Sequence, residues 1–87
     1  MSQHSTHPEI IKRLKRAAGH LNSVIAMIEE GRPCLAVAQQ MQAVESAITK
    51  AKKTLIHDHI DHCLEHTVAK KNSVKALSEF KEITKYL

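Results

Sequence analysis

The sequence is poor in the residues from which sheets, aromatic cores and catalytic loops are built. It has no Trp, one Phe and one Tyr in 87 residues, so any core must be aliphatic, made of Leu, Ile, Val, Ala and Met. Two Gly and two Pro are too few for a fold of tight turns and suit an all-helical chain. No apolar run approaches the length of a membrane span, and the polar N-terminus has no signal-peptide pattern. The expected location is the cytoplasm, with no membrane partner. There the two cysteines are reduced thiols and not a disulfide. A Cys and a His could form a nucleophile and base. No Gly-rich turn or oxyanion-hole loop accompanies them, and the chain is too short for a substrate cleft. The expectation is a binding protein, not an enzyme, with no organic cofactor.

What is present is helical periodicity. Residues 1–6 read as a flexible N-terminal arm and residues 7–87 as one helical domain. Thr6-His7-Pro8-Glu9 has the form of a capping box, with Thr6 as N-cap and Glu9 three residues on. A first helix follows over 7–30, with an apolar stripe of Ile10, Leu14, Ala17, Leu21, Ile25 and Ile28, and Gly31 as its stop. A second runs over 33–66, with Pro33 in its first turn and a seam of Val37, Met41, Val44, Ile48, Ala51 and Leu55. A third, over 73–87, is capped by Asn72 or Ser73 and buries Val74, Leu77, Phe80, Ile83 and Leu87. The fold class is all-α with three helices per chain. So short a chain leaves much of a long helix's apolar face uncovered unless a partner covers it.

Three residues of the second helix carry the sharpest chemical signal: Cys34, His59 and Cys63. His59 and Cys63 are four apart and share a face. Two thiolates and an imidazole suit Cu(I), Zn(II) or Ni(II). Each residue alone reads more simply as a small buried thiol or a surface His. Together they sit in a helix end too polar for a core, with four His between His57 and His66. His59, His62, Cys63 and His66 share one face. Cys34 lies 25 residues before His59, on the order of 37 Å along a straight helix, so one chain cannot bring them together. A second copy running antiparallel can. Setting residue 34 beside the midpoint of 59 and 63 puts a two-fold axis near residues 47 and 48, where Ala43, Ala47 and Ala51 form a small strip on which two backbones approach closely. The spacing predicts a symmetric dimer, an antiparallel four-helix bundle, with two equal intersubunit sites. His4, His7 and His62 are possible additional ligands.

The second signal is charge. Lys+Arg number 13 against 9 Asp+Glu, and seven of the basic residues fall in two clusters, Lys12-Arg13-Leu14-Lys15-Arg16 and Lys50-Ala51-Lys52-Lys53. No acid occurs between Glu9 and Glu29. A solvated face is the plain reading. The functional one is a basic face that tracks phosphates. Without interleaved aromatics, stacking on single strands is not expected.

The stretches Arg13-Leu14-Lys15-Arg16-Ala17-Ala18-Gly19-His20, Gly31-Arg32-Pro33-Cys34 and Gln39-Gln40-Met41-Gln42-Ala43-Val44 combine with the Cys34, His59, Cys63 spacing. In that combination the chain resembles the CsoR/RcnR family of small all-helical bacterial repressors, which includes copper, nickel/cobalt, formaldehyde and persulfide sensors. The resemblance covers residues 7 to 87. It implies a disc-like homotetramer, a dimer of dimers. It also implies a repressor that binds double-stranded operator DNA when ligand-free and releases it when the sensor site is filled. By position, Arg13, Arg16 and Lys50 match the DNA-contacting residues, with Lys12, Lys15 and Lys53 as helpers. Glu79 is the expected support behind the metal ligands. Copper sensors of the family usually carry Tyr where this chain has Pro33. The run Lys52-Lys53-Thr54-Leu55-Ile56-His57-Asp58-His59-Ile60-Asp61-His62-Cys63 looks closest to the nickel/cobalt-resistance branch, whose members add N-terminal nitrogen ligands. Ni(II) or Co(II) is therefore the favoured effector, with Cu(I) next. A formaldehyde or persulfide sensor using Cys34 is the alternative within the family. A metal-storage or delivery protein is the alternative of another class.

Overall fold

Gly31 is where the chain turns back on itself. Its φ is +74°, the left-handed conformation that glycine adopts without steric cost. The Arg32 N–H donates to the Met27 carbonyl and the Gly31 N–H to the Ile28 carbonyl, both at 3.0 Å. This pair of bonds closes the first helix with a Schellman motif. The computed structural model describes residues 6–69 and 73–87, with side chains at all of these except 63–69, 73 and 76. The described residues form α1 (His7–Glu29), α2 (Cys34–Ala69) and α3 (Ser73–Thr84). No strand occurs among them, and no helix is long and apolar enough to cross a membrane.

The N-terminal signals are resolved differently from expectation at two points. Thr6 precedes α1, but its side chain makes no capping hydrogen bond, so the capping box is not formed. Glu9 instead lies 3.5 Å from Arg13 one turn on. Pro33 is not inside α2 but just before it. Its carbonyl accepts the Val37 N–H at 3.1 Å, and Cys34 is the first helical residue. Beyond Cys34 no Pro or Gly interrupts α2, which spans 36 residues, about 54 Å at helical rise.

α2 packs against both α1 and α3, and among the described residues α1 and α3 do not pack on each other. The α1–α2 hairpin is built on a seven-residue repeat. Ile10, Ala17 and Val24 of α1 are buried, as are Val37, Val44 and Ala51 of α2. Val24, Val37 and Val44 form one cluster, with Met27 against it. The other half of each expected stripe faces outward: Leu14, Leu21, Ile25 and Ile28 on α1, and Met41, Ile48 and Leu55 on α2. Ile56 is buried as fully as Val24, although the expected seam runs through its neighbour Leu55. On α3, which ends at Thr84 and not at Leu87, Phe80 and Ile83 are half-buried, whereas Val74 and Leu77 are exposed, as is Leu87 beyond the helix. The chain measures 58 × 23 × 13 Å with a radius of gyration of 17.7 Å. A compact domain of this length would have about 12 Å. An open, half-covered hairpin results.

Ala placed at the positive φ of Gly31 meets no neighbouring side chain, so its cost is conformational alone. Gly31→Ala is expected to lower stability by about 1–2 kcal/mol, read as a reduced melting temperature with native helicity. Gly31→Asn should lose less.

Candidate functional site

Two grooves flank α2, one along the hairpin and one near its C-terminal half. The first follows from spacing. Glu9, Arg13, Arg16, Ala17 and His20 recur along one side of α1, and Ala43, Ser46, Ala47 and Lys50 along the facing side of α2. Together they line an open cavity of about 460 Å³. Its floor holds the methyl groups of Ala17, Ala43 and Ala47, and its rims hold long cationic side chains. The structure thus joins Arg13, Arg16 and Lys50 from two sequence-distant clusters. Lys12 and Lys15 are exposed on α1 but do not line the groove. Lys53 lies one turn beyond Lys50, where both border a shallower cleft with Gln42, Glu45, Ser46 and Thr49.

The alanine strip has a different place from the one expected. Ala43 and Ala47 open into this groove, and Ala51 is 1% exposed within the single chain. The larger exposed apolar strip lies elsewhere on the hairpin. Leu21, Met41, Val44 and Ile48 line a shallow apolar cleft with Glu45 and Thr49.

Two polar contacts run between the helices of the hairpin. The His20 Nε2–H donates to Gln40 Oε1 at 2.7 Å. Towards the other end, His7 Nε2 lies 3.9 Å from Asp58 Oδ2. His7 thus lies beside the turn of α2 that carries His59. In the sequence Gln40 is visible only as part of a motif, and its pairing with His20 needs the hairpin register.

The expected metal ligands are distributed as the helix geometry requires. Cys34 is exposed at the start of α2, and His59 is half-buried towards its far end. Within one chain the structure does not bring them together, and the described residues contain no group of three metal-ligating side chains. His59 borders the second groove, about 350 Å³, with Ser78, Glu79, Glu82, Ile83 and Tyr86 of α3 and the chain end. Glu79 is therefore on the same groove as His59. His62 is half-buried. The Cys63 side chain and all of His4 lie outside the described residues.

A family model described as "Metal-sensitive transcriptional repressor" matches residues 6–86. The chain belongs to the family of metal-sensitive transcriptional repressors. It is 32% identical over 76 residues to the copper-sensing transcriptional repressor CsoR of Mycobacterium ulcerans, covering 87% of this chain and 65% of that protein. The chain thus spans slightly under two thirds of the length of this mycobacterial relative. It is also 32% identical over 81 residues to the copper-sensing repressor CsoR of Bacillus subtilis, covering 88% of this chain and 80% of that one. The solved structure of the nickel-responsive transcriptional regulator InrS matches with a TM-score of 0.85 and 30% identity, over 100% of this chain and 99% of that chain. The all-α, three-helix architecture is thus that of a metal-sensitive repressor.

The His20–Gln40 bond bridges the two helices that line the hairpin groove. His20→Ala and Gln40→Ala are each expected to cost about 0.5–1.5 kcal/mol, and the double variant should cost little more than either single one. Chemical denaturation of the four proteins measures this.

Proposed function

We propose that this chain is a metal-responsive repressor. In this reading it binds operator DNA when metal-free and releases it when a transition metal is held between two chains by Cys34, His59 and Cys63. The carrying observation is the placement of donors on α2. Cys34 is exposed at one end of an unbroken helix, His59 lies 25 residues on, and Met41, Ile48 and Leu55 leave an uncovered apolar strip between them. A second copy laid antiparallel on that strip covers it and brings each Cys34 to the other chain's His59 and Cys63. Such a dimer is the four-helix bundle, and two dimers make the disc-like tetramer. Thiolates and imidazole fit a borderline-soft ion and not Mg²⁺ or Ca²⁺.

Ni(II) or Co(II) is the favoured effector and Cu(I) the next. The full-length match to a nickel-responsive regulator supports this order, as does the position of His7 beside Asp58, where the N-terminal segment can supply nitrogen ligands. His4 and His62 are further candidates, and Glu79 supports His59 from α3. DNA is held by Arg13, Arg16 and Lys50 on the hairpin groove, with Lys12, Lys15 and Lys53 adding diffuse positive charge. The cytoplasm is where such a regulator meets both DNA and metal.

The test is DNA binding by the metal-free protein, followed by titration with Ni(II), Co(II) or Cu(I) under anaerobic conditions. A specific promoter fragment should be bound, with affinity falling steeply as salt rises, and metal should reverse binding. Absence of binding at low salt, or indifference to metal, overturns the reading. Arg13→Ala with Lys50→Ala should abolish DNA binding and leave metal affinity nearly intact. Under a storage or delivery role, the wild type would show no specific DNA complex for these substitutions to break. Cys34→Ala should damage metal binding most. His59→Ala should retain measurable metal binding on two thiolates yet remain on DNA when metal is added. Ile48→Asp places a charge on the apolar strip and should shift sedimentation towards monomer while the helices persist. Metal affinity should fall with it, because each site needs two chains.

A further inference from the structure

The hairpin groove contains one carboxylate among its cations. Glu9 Oε2 lies 3.5 Å from Arg13 Nε, with both side chains about half exposed. Glu9 borders the same groove as Arg16, His20 and Lys50. A Glu three residues after a helix start ordinarily belongs to a capping box. Here no capping side-chain bond forms at Thr6, and the Glu9 carboxylate is turned along α1 to the guanidinium instead. It is also the last acid before Glu29, so nothing else on α1 offsets Lys12, Arg13, Lys15 and Arg16.

We propose that Glu9 is an intramolecular competitor for the groove's anion-binding guanidinium, an attenuating carboxylate that sets how tightly the groove holds a nucleic-acid phosphate. The proposal rests on the DNA-binding reading of that groove. A phosphate oxygen and the Glu9 carboxylate seek the same donors on Arg13. Arg13 must exchange one anion for the other when DNA arrives, and the displaced carboxylate then lies close to the incoming phosphate. An exposed ion pair of this kind is weak enough to be exchanged readily. The unrelieved charge is what lowers affinity. Two like charges at about 4 Å in water reduce a binding constant about fivefold. The penalty recurs in every protomer that touches DNA. It keeps an otherwise strongly basic face from holding any polyanion so firmly that effector binding cannot dislodge it.

The experiment compares wild type, Glu9→Gln, Glu29→Gln, Arg13→Ala and the double variant Glu9→Gln/Arg13→Ala. Each full-length metal-free protein is titrated with operator and with random duplex DNA across a salt series. Gln keeps the shape of Glu and is equally at home in the third position of a helix, and circular dichroism checks that the fold is retained. Glu9→Gln should bind both duplexes about fivefold more tightly per engaged protomer. Its salt slope should stay close to that of the wild type, because Arg13 meets the same phosphate in both. Glu29→Gln removes the same charge from the far end of α1 and should change affinity much less. In the Arg13→Ala background Glu9→Gln should have little effect. Unchanged or weaker binding by Glu9→Gln overturns the proposal. So does an equal increase from Glu29→Gln, or an increase that persists without Arg13. A wild type that binds no DNA instead overturns the repressor reading itself, so the two failures are distinguishable.

Discussion

The structure depends on a seam too narrow for the helices that share it. Ile10, Ala17 and Val24 face Val37, Val44 and Ala51 across the α1–α2 hairpin, seven residues apart on each arm of the hairpin. The side chains are mostly Val and Ala. They bring two helices together without covering the residues that flank them. Leu14, Leu21, Met41, Ile48 and Leu55 remain between 39% and 51% exposed, enough apolar surface to make a lone hairpin a poor final state in water. The width of the seam is therefore what leaves this apolar strip uncovered. In the proposed dimer the same event that buries those residues also completes the donor set for metal.

The seam also explains why the basic groove exists. Where Ala17, Ala43 and Ala47 stand in place of larger residues, the helices are close but the side-chain layer between them is thin. Arg13, Arg16 and Lys50 rise on either side of the gap. Larger residues at those alanines would fill the channel from below and push the cationic stems apart. The groove is thus a property of both helices and of their register, in which His20 bonds to Gln40 across the hairpin.

Much of this is legible in the sequence, for identifiable reasons. Helix number and turn position follow from Gly31, Pro33 and the uninterrupted run after Cys34. The separation of Cys34 from His59 follows from helical rise alone. The stripes are legible as apolar but not as divided. Steps of three and four do not say which residues meet the chain's own neighbour and which await a second copy. The periodicity therefore takes in Ile25 where Val24 is the buried residue, and Leu55 where Ile56 is. The alanine strip suggests a partner helix because nothing local reveals that Ala51 is buried within the chain and that Ala43 and Ala47 border a groove shared with α1. The capping box is not formed, and its Glu lies beside Arg13 one turn on, a cation that the motif does not consider. The exposed Val74 and Leu77 of α3 show the same limit, since apolar periodicity marks a face meant for burial and does not identify what buries it.

The way a distant site would act on the groove follows from the same geometry. A ligand shifts a conformational equilibrium only by the difference in its affinity for the two arrangements. Metal held by Cys34 of one chain and His59 and Cys63 of another would favour the helix crossing that satisfies three short bonds at once. That crossing need not be the one that apolar packing alone prefers. α2 carries both the donors and Lys50, so a change in its angle is felt in the groove without any intermediate relay. The seam permits this. Val and Ala interlock shallowly, and among the described residues Ile10 and Ile56 are the buried side chains larger than Val. A seam of large interdigitated side chains would resist such a shift, whereas small ones let two helices slide by fractions of a turn at modest cost. A typical coupling of about 1–3 kcal/mol between two ligands is within reach of such a device. In the proposed reading an attenuated groove charge serves the same end, because release requires that the hold on DNA not exceed what the metal can reverse.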